Sequence, residues 1–367
     1  MCFGATYILS SRVRIAAIAV SLSAIMFAQN TPASQSNPSA PGTTASENPQ
    51  SSPAATAPIS AVQDQSGELP PEPQRAQDQQ ESSKPDPGTD DPGRFVFKKQ
   101  VQEVVLHATV ADESGHLVTN LDKGAFSVYQ NGKAEPITSF RREDVPVAMG
   151  IVIDNSGSMR DKREKVNQAV LNLILASNPQ DEIFVVNFSQ NSYLDQDFTS
   201  DLNQLQAALH QVSMQGSTAL YDAVVASAVH LRNYPRLAKR VLLVITDGQD
   251  NMSRETLQEA MRQLQPKKGP ILYAIGLTDE GLTRAGRDAL QSLAASTGGV
   301  AFFPQSLDEV DAITRAVAHD IRSQYTLAYK PGGPINGYQT IRVEAQAPGG
   351  HLIVRTRSGY YPSETVR

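Results

Sequence analysis

The run Val147 to Met159, VAMGIVIDNSGSM, constrains this chain more than any other stretch. Its apolar part is unbroken and stops abruptly at Asp154, Ser156 and Ser158, with Asn155 and Gly157 between them. A short continuous apolar run bounded by turn residues suits a strand buried on both faces, and such strands belong to parallel sheets covered by helices. The loop after such a strand is where open α/β sheets place ligands. A helix-compatible segment begins near Asp161, so one carboxylate and two hydroxyls meet at a strand's carboxyl end. Two readings fit these residues: a turn that caps the next helix, for which Asp, Ser and Gly are ordinary, or a cation site. All three are hard oxygen donors whose alternate spacing lets them converge, which suits Mg²⁺, Mn²⁺ or Ca²⁺.

The pattern continues downstream. Strand-like runs fall at Ile183 to Phe188, Val241 to Ile245, Ile271 to Leu277 and Val300 to Phe303. Helical spacing separates them, as in Val166, Val170, Leu173 and Ile174, or Leu220, Ala223, Val224 and Leu231. This alternation predicts an α/β fold with a doubly wound, mostly parallel sheet and helices on both faces. The run Val241 to Ile245 ends in Thr246, Asp247 and Gly248, a second strand stopping on a carboxylate. Between the two lies the loop Gly216-Ser217-Thr218.

The order DxSxS, then Thr218, then Asp247 resembles the metal-ion-dependent adhesion site (MIDAS) of von Willebrand factor type A (VWA) domains. The intervals, about 60 and 30 residues, leave room for one or two βα units between the pieces. The resemblance covers about residues 145–322 and fills all five expected positions. It implies that Ser156, Ser158 and Thr218 bind a metal directly through their hydroxyls, while Asp154 and Asp247 act through water or outer hydrogen bonds. It also implies an open coordination position that a partner's Asp or Glu carboxylate completes. Gly298-Gly299 resembles the family's last βα boundary, and in this family the last helix, here Leu307 to Ile321, commonly moves between two arrangements. Nearby residues have double readings. Asp250 and Asn251 add oxygens to the ion or solvate a loop; Asp222 orients Thr218 or a metal-bound water, or solvates a helix. Tyr193 and Tyr221 flank the expected upper face, where a partner would sit.

Period-two alternation brackets this block. Before it, Val104, Leu106, Ala108 and Val110 alternate, and so do Phe126 and Val128. Asn131-Gly132 is a hairpin signal, with Ile137 and Phe140 expected on the returning strand. After it come Tyr325, Leu327 and Tyr329, then Ile341, Val343 and Ala345, then Leu352 and Val354, read as antiparallel hairpins. Neither flank is large enough to hold a core alone. We therefore expect residues 94–143 and 323–362 to form one antiparallel β-sandwich of about six strands, with the VWA domain, residues 144–322, inserted into it. Separate packing of each flank on that domain is the other arrangement. The β, VWA, β order, with Gln324-Tyr325 and Gly359-Tyr360-Tyr361, resembles exported bacterial proteins described as VWFA-related. That likeness implies adhesion or scaffolding and names no ligand.

Residues 1–28 place Arg12 and Arg14 before the apolar segment Ile15 to Phe27, which has the length of a signal-peptide core. Met26 suits the cleavage motif before Ala28 poorly, so a cleaved signal and an uncleaved anchor both fit. Residues 29–93 are rich in Pro, Ser and Gln, hold almost no large apolar residue and read as a disordered tether; residues 363–367 form a short tail. Cys2 is the sole cysteine, which excludes disulfides, thiol catalysis and zinc-thiolate sites from a processed chain. A net charge of −6 offers no basic stripe for nucleic acid. Ser156 stands where Asp-phosphorylating hydrolases carry a second carboxylate, no GxSxG elbow is present, and the six histidines sit in no triad pattern. The expectation is an exported, non-enzymatic, metal-dependent protein-binding or adhesion module. A structural or envelope-assembly scaffold, whose ion only stabilises the loops, is the alternative, and a metal-dependent hydrolase the least favoured reading.

Overall fold

A computed structural model describes residues 103–142, 144–210, 216–277, 282–333, 336–347 and 350–362. The expected export segment, tether and tail lie outside the described residues. The alternation in β1 (Val104–Ala111) puts Val104, Leu106, Ala108 and Val110 on one face, and all four are buried. β2 (Phe126–Gln130) and β3 (Lys133–Glu135) form the hairpin expected at Asn131-Gly132, where both residues take positive φ. Ile137 and Phe140 are not on its returning strand. They lie on β4 (Ile137–Arg141), which crosses to the other sheet because the hairpin is complete after three residues.

The middle block then winds as its pattern predicts. The chain runs through β5 (Val147–Asp154), α1 (Arg163–Ala176), β6 (Glu182–Phe188), β7 (Ser192–Thr199), α2 (Leu202–His210) and α3 (Leu220–Asn233). It continues with β8 (Lys239–Thr246), α4 (Leu257–Leu264), β9 (Ile271–Gly276), α5 (Arg284–Thr297), β10 (Ala301–Phe302) and α6 (Val310–Arg322). Among the described residues the sheet order is β10-β9-β8-β5-β6-β7, parallel except for the antiparallel edge β7. β5 and β8, at the centre, are buried at every position, and separate apolar cores form on the two faces. Centrality forces that composition, since a strand covered by helices on both faces has no solvent side.

The C-terminal strands are β11 (Tyr325–Tyr329), β12 (Gln339–Ala345), β13 (Ile353–Arg355) and β14 (Gly359–Tyr360). They do not form hairpins with one another as expected, but alternate between two four-stranded antiparallel sheets, β13-β1-β11-β4 and β14-β12-β2-β3. Each sheet therefore draws strands from both flanks, and one core containing Leu106, Phe126, Val128, Tyr325, Leu327 and Tyr360 joins the two. α6 is tied to this sandwich. Asp320 accepts hydrogen bonds from Tyr273 Oη (2.7 Å) and from Arg355 of β13 (2.9 Å), and Gln324 donates to the same tyrosine (3.1 Å).

The outer face of β1 carries His107, whose Nδ1 lies 3.2 Å from the Thr326 hydroxyl. Burial, aided by the charges of Lys239 and Arg357, pushes its imidazole down to about 3. A base held below its unfolded value of ~6.5 is protonated first in the unfolded chain, so stability falls as pH drops below about 6.5 until the folded value is reached. Asp181 acts in the opposite sense. Burial raises its carboxyl to about 6, which weakens the fold at higher pH and relaxes as pH falls. His107→Gln isolates the first effect: from about pH 7 to 5 the native chain should lose about 1–2 kcal/mol more than the variant, read from urea denaturation.

Candidate functional site

β5 delivers Asp154, fully buried, to the carboxyl edge of the sheet. Its Oδ1 accepts the Ser156 backbone N–H (2.8 Å), which closes a tight turn. Met159 then plugs into the core beside Val166 and Val170, so the loop cannot swing away before α1 starts. Ser156 and Ser158 lie with their hydroxyl oxygens 3.2 Å apart, and Ser158 donates to Asp247 Oδ1 at 2.8 Å. Asp247, also fully buried, follows the last residue of β8. Thr218 precedes α3 across a third loop. Gly248 lies between that loop and β5: a Cβ there would sit 3.2 Å from Thr218 Oγ1 and 3.8 Å from Asp154 Oδ2. All five expected residues therefore converge, around a cradle that any side chain at position 248 would fill.

The surroundings show how this cluster is held. Thr246, the last residue of β8, donates its hydroxyl to Asp154 Oδ2 at 2.5 Å, and Arg163 donates to the Asp154 carbonyl at 3.2 Å. Asn251 grips the third loop from both sides, its Oδ1 accepting from Thr218 N (2.9 Å) and its N donating to Thr218 O (3.0 Å). Asp250 accepts from Tyr221 N (3.1 Å). Both residues thus position the Thr218 loop. Asp222 Oδ1 accepts from Arg254 N and Glu255 N and shapes the following loop. Tyr193 stands exposed on β7 and Tyr221 is half-buried.

Burial pushes the Asp154 carboxyl above its ordinary value, and the nearby Asp247 charge adds to this; the Thr246 hydroxyl and Ser156 act against it. Lys162 balances part of the charge. Its ammonium lies 2.6 Å from Asp247 Oδ2, with only 12% of its side chain exposed. Sequence reading identified neither Lys162 nor Thr246 as part of the site. Above the cluster opens a cleft of about 570 Å³, lined by Ser156, Ser158, Thr218, Gln249, Asp250 and Thr283, among others. Among the described residues no three His, Cys, Asp or Glu side chains gather as a metal-binding group. The set of two carboxylates and three hydroxyls fits a hard divalent ion and no soft one.

A doubly wound sheet with an oxygen-donor cluster at the carboxyl ends of its two central strands defines the class. Residues 149–249 match the family model described as von Willebrand factor type A domain, and the chain carries a domain of that family. Among solved structures, it is similar to proximal thread matrix protein 1 of the mussel byssus with a zinc-occupied MIDAS motif, at 17% identity and a TM-score of 0.44. That match covers 53% of this chain and 50% of the mussel protein, so the chain spans about half the length of that relative. BatB of Bacteroides thetaiotaomicron aligns at 19% identity over 47% of this chain and 98% of its own, with a TM-score of 0.38. A von Willebrand factor type A protein of Catenulispora acidiphila aligns at 14% identity over 73% and 76%, with a TM-score of 0.42. No curated protein matches the chain.

Proposed function

We propose that this chain is an exported, metal-ion-dependent protein-binding module. In this reading Ser156, Ser158 and Thr218 bind a divalent cation such as Mg²⁺ or Mn²⁺ directly, Asp154 and Asp247 bind it through water or outer hydrogen bonds, and an Asp or Glu carboxylate of a partner completes its coordination. The observation that carries the reading is the convergence of these five side chains around the Gly248 cradle, beneath an open cleft. Few anionic groups contact such an ion, so it stays electrophilic and takes a carboxylate from outside. The zinc-occupied motif of the mussel protein is in keeping with a divalent ion at such a site. Export rests on residues 12–27; among the described residues no helix is long and apolar enough to cross a membrane.

The test is capture of partners from an envelope extract in Mn²⁺. Binding is expected to vanish in EDTA and in Asp154→Ala, and to be competed away by millimolar acetate. A partner retained equally in EDTA refutes the mechanism. Stabilisation by Mn²⁺ with no ligand that acetate displaces would instead assign the ion a purely structural role in a scaffold.

A further inference from the structure

The outer face of the sheet β13-β1-β11-β4 is turned away from the sandwich core, and it is not covered evenly. Two cross-strand rows run over it, Val105, Ala328 and Ser139 in one and His107, Thr326 and Arg141 in the next. Opposite stand the segment joining α3 to β8 and the turn joining α4 to β9. Between them lies a cleft of about 1250 Å³, at the amino ends of the parallel strands and thus away from the MIDAS residues. Eight of its lining side chains are Lys or Arg, and Glu103 is the one carboxylate among them. A chain with 32 basic and 38 acidic residues has therefore placed a quarter of its basic side chains around one cavity.

The cations there are built in. Arg240 donates to the carbonyls of Leu231, Tyr234 and Ala238, and Arg357 to those of Pro266, Lys267 and Gly269. Lys239 donates to the Ile321 carbonyl. Arg236 is paired with Glu182 (2.8 Å), and Asp144, Asp181 and Asp320 act on Lys239. The carbonyls around Arg240 and Arg357 fix those cations in place but leave their net charge, so the cleft keeps a positive potential focused by its walls. His107 reports that field: burial and the charges of Lys239 and Arg357 hold it neutral. Arg141 and Lys268 stand exposed at the rim. Apolar surface runs between the charges, with Val105 44% exposed and Val145, Pro146 and Leu237 beside it.

We infer that this cleft binds an acidic peptide segment carrying apolar side chains. A small phosphate or carboxylate ligand would need its donors gathered at one point, and typical small-ligand pockets hold ~300–1,000 Å³. Here the charges are distributed over four chain segments and alternate with apolar patches, which suits an extended chain of alternating acidic and apolar residues. The inference does not depend on the metal site.

The test is fluorescence anisotropy on the full chain in EDTA, so that metal-completed coordination plays no part. The probes are a labelled peptide of alternating Glu and Leu, its Lys-for-Glu counterpart, and an oligothymidylate of equal charge. The Glu peptide should bind saturably and weaken as salt rises, and the Lys peptide should not bind. Arg141→Glu combined with Lys268→Glu, both at exposed positions, should raise the Kd at least about tenfold. Unchanged thermal melting verifies that this variant folds, and Lys268→Gln should give a smaller loss. No saturation at millimolar peptide, equal binding of the two peptides, tighter binding of the oligothymidylate, or an unchanged Kd in the charge-reversed variant would each overturn the proposal.

Discussion

Lys162→Met is expected to raise the Mn²⁺ affinity of the site at least about tenfold, ~1.4 kcal/mol, in isothermal titration calorimetry. The ammonium of Lys162 holds Asp247 Oδ2 at 2.6 Å from a nearly buried position. A cation entering between Ser158 and Asp247 meets this positive charge at close range, where the effective dielectric is far below that of water. It must also share a carboxylate that already has a partner. Methionine keeps the length and the apolar stem while removing both effects. The same change leaves Asp247 buried without its counter-charge, which costs about 3–5 kcal/mol in comparable pairs, so the metal-free variant should melt earlier and Mn²⁺ should recover most of the loss. Lys162→Arg retains the charge and should leave affinity within about threefold. Equal affinity in the native chain and Lys162→Met would show that this lysine takes no part in setting metal binding. Absence of Mn²⁺ binding in either would instead refute the metal site.

Much of the fold was legible because burial leaves a periodic trace. The unbroken runs Val147 to Ile153 and Val241 to Ile245 read as central strands, and both are buried at every position. β7 escaped notice for the converse reason: SYLDQDFT is an exposed edge, and an edge strand need not be apolar. Strand partners were the least legible feature of the flanks. Alternation says which face of β11 or β12 is buried, but both sheets of a sandwich share one core, so the pattern is the same whichever sheet a strand joins. The hairpin at Asn131-Gly132 was readable since its turn conformation demands particular residues, whereas the crossover into β4 carries no such demand.

The site divides along the same line. Asp154, Ser156 and Ser158 are two residues apart, and Thr218 and Asp247 lie where loops must follow strands or precede helices, so residue type and spacing suffice to find them. Thr246 and Lys162 reach their carboxylates across 92 and 85 residues of sequence. A threonine ending a strand and a lysine before a helix are ordinary locally. Only the packing of β8 against β5, and the anchoring of the intervening loop by Met159, gives them a role.

Gly299→Ala should destabilise the chain by about 3 kcal/mol or more, a large loss for the addition of one methyl group. The added Cβ would lie 1.9 Å from the Leu272 carbonyl oxygen and 2.7 Å from its carbon. Those are main-chain atoms of β9, held on one side by the pairing of Leu242 with Leu272. They are held again where Thr297 Oγ1 accepts the Leu272 N–H at 2.8 Å, so no side chain can turn aside to make room. Either β9 or the end of α5 must move. α5 is fixed in turn, because Gly298 closes it with a left-handed φ of 88° and packs against the main chain of Thr356 and Arg357, which belong to the sandwich side of the molecule. The strain therefore spreads from the parallel sheet into the C-terminal strands and cannot be absorbed by one loop. Gly333→Ala supplies the contrast: its Cβ meets nothing within 4 Å, and the change should be neutral or stabilising by up to about 1 kcal/mol. Urea denaturation of both variants measures the difference, and a loss below about 1 kcal/mol for Gly299→Ala would mean that the close approach of α5 to β9 is not maintained in solution.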